Sequence, residues 1–171
     1  MDRVFEIRRS SRKTISLEFD GDGKLIVRAP RFVSDAYIRR FVGEKEDWIR
    51  RAEARAAERR AAHPEPTEAE RRELIRKAKE VLPAKTAHYA AVMGVSPTRI
   101  TITSAKKRWG SCSAKNALSF SWRLMQYDER AIDYVVVHEL AHIRHHDHSP
   151  AFYALVASVL PDHRERRALL R

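Results

Sequence analysis

Five of the chain's eight histidines occur in one short segment, "VVVHELAHIRHHDHSPAFY", between His138 and His148. Its motif HELAH places His138 and His142 four residues apart, so that on a helix both imidazoles lie on one face and can bind one metal ion. Glu139 points beside this pair, which suits a carboxylate that takes a proton from metal-bound water better than it suits a ligand. The motif therefore predicts a metal centre with a general base.

A third metal ligand must come from the residues that follow the pair, and the candidates are His145, His146, Asp147 and His148. His145 continues the row of His142 along the helix, so it would run along the ion rather than around it. If the helix ends near His146, the chain can turn back and present His148 from another direction, which leaves one coordination position open for water. The Ser-Pro pair at 149–150 favours this ending because it is typical of a new helix start. We therefore favour His148 as the third ligand, with His145 and His146 as outer partners or surface groups.

The cysteine content narrows the chemistry of this centre. Cys112 is the single cysteine, so neither an intrachain disulfide nor a cysteine-based zinc cage can form from this chain. It also lacks a defined base partner, and we interpret it as a small packing residue. The metal must therefore depend mainly on histidine and carboxylate.

The charge of the chain favours anionic partners. It has 34 Lys and Arg against 23 Asp and Glu, a formal net charge of +11 and a pI near 10.2. This balance favours nucleic acid, nucleotides or acidic proteins, although an arginine-rich segment such as "IRRAEARAAERRAA" also fits a solvated helix face. No apolar stretch approaches the roughly 20 residues that span a bilayer, and the N-terminus lacks the apolar core of a signal peptide. We expect a cytoplasmic protein without a membrane partner.

The elements that must position these side chains can be predicted from hydrophobic periodicity. Alternating apolar residues on both sides of "DGDG" predict a β-hairpin within 1–30. A helical region follows over 34–93, with one long amphipathic helix from Ser34 and a second helix that Thr67 can cap and that Pro83 can kink or split.

The catalytic region is predicted over 95–171. It has a strand at "RITIT" and a second hairpin around "AKN", in which Leu118, Phe120, Trp122 and Leu124 alternate. A helix capped by Asp128 carries HELAH, and two further helices begin at Ser149–Pro150 and at Pro161. These elements predict an α+β fold in one domain, 1–171.

Several separated segments resemble the YgjP-like metallopeptidases, which are related to the SprT-like zinc proteases. They cover nearly the whole chain: "RRSSRKTISLEF", "FVGEKEDWIRR", "RITITSAKKRWGSCS", "LSFSWRLM", "IDYVVVHELAHIRHHDHSPAFY" and "PDHRERRALLR". The metzincins match less well, because His145 stands where they have glycine. The resemblance implies a compact zincin-like α+β fold, with Zn²⁺ on His138, His142 and His148 and with Glu139 as the catalytic residue. Asp147 stands where such proteins often carry asparagine.

Peptide hydrolysis is the function that this centre predicts first, with a protein or peptide as substrate and with zinc-bound water activated by Glu139. "RWGSCS" can offer a strand edge to an extended peptide, although a structural hairpin is the favoured interpretation of this segment. Tyr153 and His163 are candidates for stabilising an oxyanion because they follow the site closely. Trp109 and Trp122 are expected in the core. Two alternatives remain, a nucleoside triphosphate pyrophosphatase or phosphohydrolase and a noncatalytic zinc-stabilised nucleic-acid-binding module.

Overall fold

A computed structural model describes residues 3–20 and 23–170 of the chain, and its elements combine helices with small sheets. The chain forms two units, Met1–Pro64 and Glu65–Arg171, each with a three-stranded sheet and its own cluster of buried apolar side chains. Within the described residues, no helix is long and apolar enough to cross a membrane. The predicted α+β class is confirmed, while the assignment of 1–171 to one domain stays a prediction.

The first unit combines a three-stranded sheet with two helices. Its elements are β1 (Glu6–Ser10), β2 (Ser16–Phe19), β3 (Leu25–Pro30), α1 (Asp35–Glu44) and α2 (Glu46–Ala62). β2 and β3 pair antiparallel with Leu17 opposite Val27, and β1 adds to the other side of β3 in parallel. The predicted N-terminal hairpin is therefore confirmed, although Gly21 and Asp22 of its connection lie outside the described residues.

The prediction of one long helix from Ser34 is wrong, because the chain forms α1 and α2 with Lys45 between them. Lys45 closes α1 with a tight turn, in which its N–H bonds to the carbonyl of Val42 at 3.1 Å. Ile38, Val42 and Ile49 are nevertheless all buried in the same cluster. The hydrophobic period continues across the break because both helices face one core.

The second unit carries the histidine segment. Its elements are α3 (Glu68–Met93), β4 (Arg99–Thr103), β5 (Gly110–Cys112), β6 (Ala117–Ser121), a 3₁₀ helix (Trp122–Gln126), α4 (Glu129–Ala141), α5 (Pro150–Val159) and α6 (His163–Ala168). β6 is the central strand, parallel to β4 and antiparallel to β5. The second predicted hairpin is thus confirmed, and β5 is an edge strand of this sheet among the described residues.

Helix α3 forms one wall of the core and runs through its proline. Thr67 caps it, as the sequence predicted, and the structure adds a reciprocal capping box with Glu70. Pro83 does not end the helix, since buried residues on both sides of it, including Leu82 and Thr86, hold the two halves against the core. α3 ends at Met93, and Gly94 follows it with a φ of 61°, which glycine readily adopts.

Strand β6 ends earlier than its alternating pattern predicted. Trp122 and Leu124 belong to the 3₁₀ helix instead, and both are still buried. Ser121 stabilises the transition from β6 to the 3₁₀ helix. Its hydroxyl donates a hydrogen bond to the carbonyl of Ala105 at 2.8 Å and accepts one from the N–H of Arg123 at 3.3 Å.

Helix α4 also ends before the expected position near His146. The N–H groups of Ile143 and Arg144 bond to carbonyls three residues back, which tightens the chain into a turn directly after Ala141. The Arg144 guanidinium donates to the carbonyl of Met93 at 2.9 Å and thereby ties this turn to the end of α3. Similarly, α6 begins at His163 rather than at Pro161, because the residues between form a turn.

Candidate metal centre and active site

Three imidazoles converge in the second unit. His138 lies on α4, His142 directly follows that helix, and His148 lies in the loop before α5. One ring nitrogen of each lies within 4.8 Å of the others, and the Nε2 atoms of His138 and His148 are 3.2 Å apart. Two nitrogen ligands on one tetrahedral zinc, each about 2.0–2.1 Å from it, would be separated by roughly 3.3 Å. The donor set and its spacing therefore fit a zinc ion.

Two neighbours orient the imidazoles. Tyr134 lies one helical turn before His138, and its hydroxyl is 3.4 Å from His138 Nδ1. On the next ligand candidate, His142 Nδ1 lies 2.9 Å from the carbonyl oxygen of His145. In both rings Nδ1 has a partner and Nε2 is left for an ion, which is the arrangement that metal-binding histidines usually have.

Phe152 forms the base of the centre. Its side chain is fully buried, and its ring centroid lies 4.9, 4.6 and 5.0 Å from those of His138, His142 and His148. Ser149 caps α5 by accepting the N–H of Phe152, which confirms the predicted helix start. The same local structure therefore positions both the loop that carries His148 and the ring beneath it.

The electrostatics of His138 and His142 favour neutral rings. Burial, together with the neighbouring imidazoles of His142 and His148, lowers the pKa of His138 to about 3. Burial also lowers the pKa of His142, although its bond to the His145 carbonyl opposes the change. Neutral imidazoles are the forms that bind metal, so no proton has to be displaced from this pair at neutral pH.

Glu139 is the buried carboxyl group of the site, with 6% of its surface exposed. Burial raises its pKa to about 7, and the positive charge of Arg108 opposes the rise. A Cβ at Gly110 on β5 would lie 2.6 Å from Glu139 Cγ, well inside van der Waals contact. Only a glycine at this position lets the edge strand pass so close to the carboxyl group.

A cavity of about 400 Å³ opens on these side chains. His138, Glu139 and His148 line it, together with residues from β5 and the segment before it, from α5 and from α6 and the residues after it. The residues contributed by those segments include Trp109, Gly110, Tyr153, Arg167 and Leu170. The carboxyl group and the converging imidazoles thus share one cleft with an edge strand.

The other candidate ligands lie elsewhere. His145 is half-buried and contributes its carbonyl to His142, whereas His146 is exposed. Asp147 accepts a hydrogen bond from the N–H of Ser149 at 3.2 Å. None of the three joins the group of converging ligand atoms among the described residues.

The aromatic candidates divide between cavity and core. Tyr153 lines the cavity beside His148, whereas His163 stacks on Tyr153 at 6.5 Å and does not line it. Trp122 is buried as predicted, but Trp109 is half-buried and forms part of the cavity wall. The sequence does not indicate whether an aromatic residue before a hairpin lies in the core or in a cavity wall.

Cys112 is half-buried and packs against the core, in agreement with the packing role. Burial, and to a smaller extent the negative charge of Glu139, raise the pKa of its thiol. A raised pKa disfavours the nucleophilic thiolate.

Sequence reasoning missed Tyr134, Phe152 and Arg167. The first could have been found, because a tyrosine four residues before a helical histidine shares its face. Phe152 stands in the capped turn of α5, and Arg167 is placed by tertiary packing alone.

A histidine triad with the spacing of zinc ligands beside a buried glutamate is an arrangement that metallopeptidases use, and the comparison with family models indicates the same class. The model described as the YgjP-like metallopeptidase domain matches residues 13–76 and 68–171. The chain therefore belongs to the YgjP-like metallopeptidase family, as its sequence predicted. The match extends over both units.

Comparison with curated proteins found no match. Among solved structures, a similar one is the crystal structure of the metallopeptidase zymogen of Pyrococcus abyssi abylysin. It has 21% sequence identity and a TM-score of 0.47, over 52% of this chain and 90% of that one.

Proposed function

We propose that this chain is a zinc-dependent metallopeptidase, in which His138, His142 and His148 hold the ion and Glu139 is the general base. The observation that carries the proposal is the convergence of three imidazole nitrogens within 4.8 Å next to a buried carboxyl group. Membership of a metallopeptidase family supports it.

Each residue has a definite part in this reaction. Zinc held by these three imidazoles would supply Lewis-acid chemistry to the scissile carbonyl and to the attacking water. Glu139 takes a proton from the attacking water and delivers it to the leaving amine. Tyr134 and the His145 carbonyl hold His138 and His142 in the required orientation.

The substrate would lie along β5. Within residues 3–20 and 23–170 this strand pairs with β6 on one side only, so its other edge can accept an extended peptide by main-chain hydrogen bonds. Gly110 presents no side chain between such a peptide and Glu139. β5 then serves both as half of a structural hairpin and as the substrate edge.

Nucleoside triphosphate hydrolysis is the second candidate, because Arg167 lines the same cavity and arginine binds phosphate well. The nucleic-acid-binding hypothesis depends instead on the net charge of +11.

The test compares zinc-loaded protein on a peptide library and on nucleoside triphosphates. Glu139→Gln should keep zinc and fold and lose at least about 100-fold in peptide hydrolysis, the scale of general-base assistance. Glu80→Gln, at an exposed position on α3, is the matched control. Loss of zinc in parallel with activity would make Glu139 a ligand instead, and full activity would remove it from the mechanism.

A further inference from the structure

A second cavity, of about 470 Å³, adjoins the one that contains Glu139. The two cavities share three lining residues, Tyr134, Tyr153 and Arg167, so they lie next to each other. The second cavity contains none of the three converging histidines and has no role in the mechanism above.

The lining of this second cavity is basic. Its charged or titratable side chains, apart from the two tyrosines, are His163, Arg164 and Arg167 of α6, and the rest of its described lining is proline and alanine. No described aspartate or glutamate lines it. Its electrostatic character therefore favours an anion.

The charged side chains of α6 form two groups, one in ion pairs and one lining the second cavity. Arg166 forms ion pairs with Asp133 at 3.3 Å and Asp162 at 2.7 Å, and Glu165 pairs with Arg130 at 3.4 Å. Arg164 and Arg167, which line the cavity, form no ion pair with a described residue. The acidic groups near α6 are thus already paired away from the cavity, and these two guanidinium groups remain able to bind a ligand.

We propose that the second cavity is a subsite for a carboxylate of the peptide substrate, bound by Arg164 and Arg167. Arginine matches a carboxylate because its planar fork can donate two parallel hydrogen bonds. The carboxylate is either an aspartate or glutamate side chain near the scissile bond or the C-terminal carboxylate of the substrate. A peptide is favoured over a polyanion because the subsite adjoins the cleft that contains Glu139 and Gly110 of β5. The inference rests on the proposed peptidase function and adds a preference for acidic substrates.

The experiment uses zinc-loaded full-length protein and one peptide sequence in four forms. The two peptides of the first pair differ near the cleavage site, where one has Glu and the other has Gln. The two peptides of the second pair differ at the C-terminus, which is free in one and amidated in the other. We expect kcat/KM to be roughly 10-fold higher for one of the charged forms, the scale of a charge-assisted contact at an exposed site. The form that is preferred identifies the source of the carboxylate.

The double variant Arg164→Gln/Arg167→Gln should bring that ratio close to 1. Arg72→Gln/Arg99→Gln removes the same net charge from exposed positions on α3 and β4, and it should keep the parental ratio. If the first variant has a lowered melting temperature, Arg164→Gln alone provides the same comparison with a smaller change. A ratio that falls equally in both double variants would show a general charge effect and overturn the subsite.

Failure of the subsite and failure of the peptidase proposal give different results. Equal cleavage of charged and neutral peptides by the parent protein overturns the subsite and leaves the peptidase function standing. If no peptide is cleaved, the peptidase function fails, and the subsite is then decided by binding. Fluorescence anisotropy with labelled peptides on the Glu139→Gln protein must still show the charged form binding about 10-fold more tightly. Equal binding, or binding of a nucleoside triphosphate without any preference among the peptides, would reject the proposal.

Discussion

Gly110→Ala should damage catalysis without removing the metal ligands. The added Cβ would lie 2.6 Å from Glu139 Cγ, 2.7 Å from Oε1 and 2.8 Å from Cδ. Ordinary contact begins at 3.4 Å, so Glu139 or β5 has to move by about 0.8 Å. Relief by Glu139, whose exposed fraction is 6%, would move its carboxyl group into the adjoining cavity and away from its present position.

The size of the effect follows from this displacement. Overpacking of this kind costs about 1–3 kcal/mol of stability. A misplacement of about 1 Å in a catalytic group costs on the order of 100-fold in rate. Since the substitution touches none of the converging imidazoles, zinc content should stay near that of the parent.

The assay measures kcat/KM on a peptide, zinc by mass spectrometry and unfolding by heat, with Gly43→Ala as the matched control. A Cβ at Gly43 on α1 meets nothing within 4 Å, so this variant should keep activity and gain about 0.5–1 kcal/mol of stability. In the Glu139→Ala background, Gly110→Ala should cost less stability than in the parent, because the clashing group is gone. Parental activity and melting temperature in Gly110→Ala would refute the close packing of β5 against Glu139.

Three further outcomes test the site and the surface. Tyr134→Phe should weaken zinc affinity by about 10-fold or more, because it removes the hydroxyl beside His138 Nδ1. The affinity is measured by chelator competition, and an unchanged value would mean that the hydroxyl does not orient His138. His148→Ala should lose far more bound zinc than His146→Ala, and equal losses would overturn the choice of third ligand. If α2 binds nucleic acid, Arg51→Glu/Arg55→Glu should weaken DNA binding by fluorescence anisotropy, and affinity for the parent should fall steeply between two salt concentrations. Equally weak binding of both proteins at low salt would identify α2 as a solvated face.

The segment from His138 to His148 was predictable because its signals are local. The four-residue spacing of HELAH places two imidazoles on one face, and the Ser-Pro start of α5 indicates that the chain has turned before it. The convergence of His148 with that pair follows from these two facts even though α4 ends earlier than expected.

The structure departs from the sequence predictions in two situations. In the first, one hydrophobic pattern fits two kinds of secondary structure, and in the second, the contact joins segments that are far apart in the chain. The apolar period runs unbroken past Lys45 although the helix does not, and Gly43, two residues earlier, is only a weak signal of a break because helices tolerate single glycines. Alternation likewise continues into Trp122 after β6 has ended, since a 3₁₀ turn can also bury both residues. The approach of Gly110 to Glu139 and the position of Arg167 at the cavity depend on packing between segments far apart in the chain.

The short separation between His138 and His148 has a consequence for unfolding. A metal that joins them closes a small loop, and the entropic cost of closure rises only slowly with length, so little of the fold is needed to assemble the ligands. Gly110 and Arg167, by contrast, reach the cleft only when β5 and α6 are docked. We therefore expect local opening to detach β5 and α6 from the cleft while the three histidines still hold the ion. Bound zinc would then show that the eleven residues from His138 to His148 are folded, but it would not show that the whole cleft is intact.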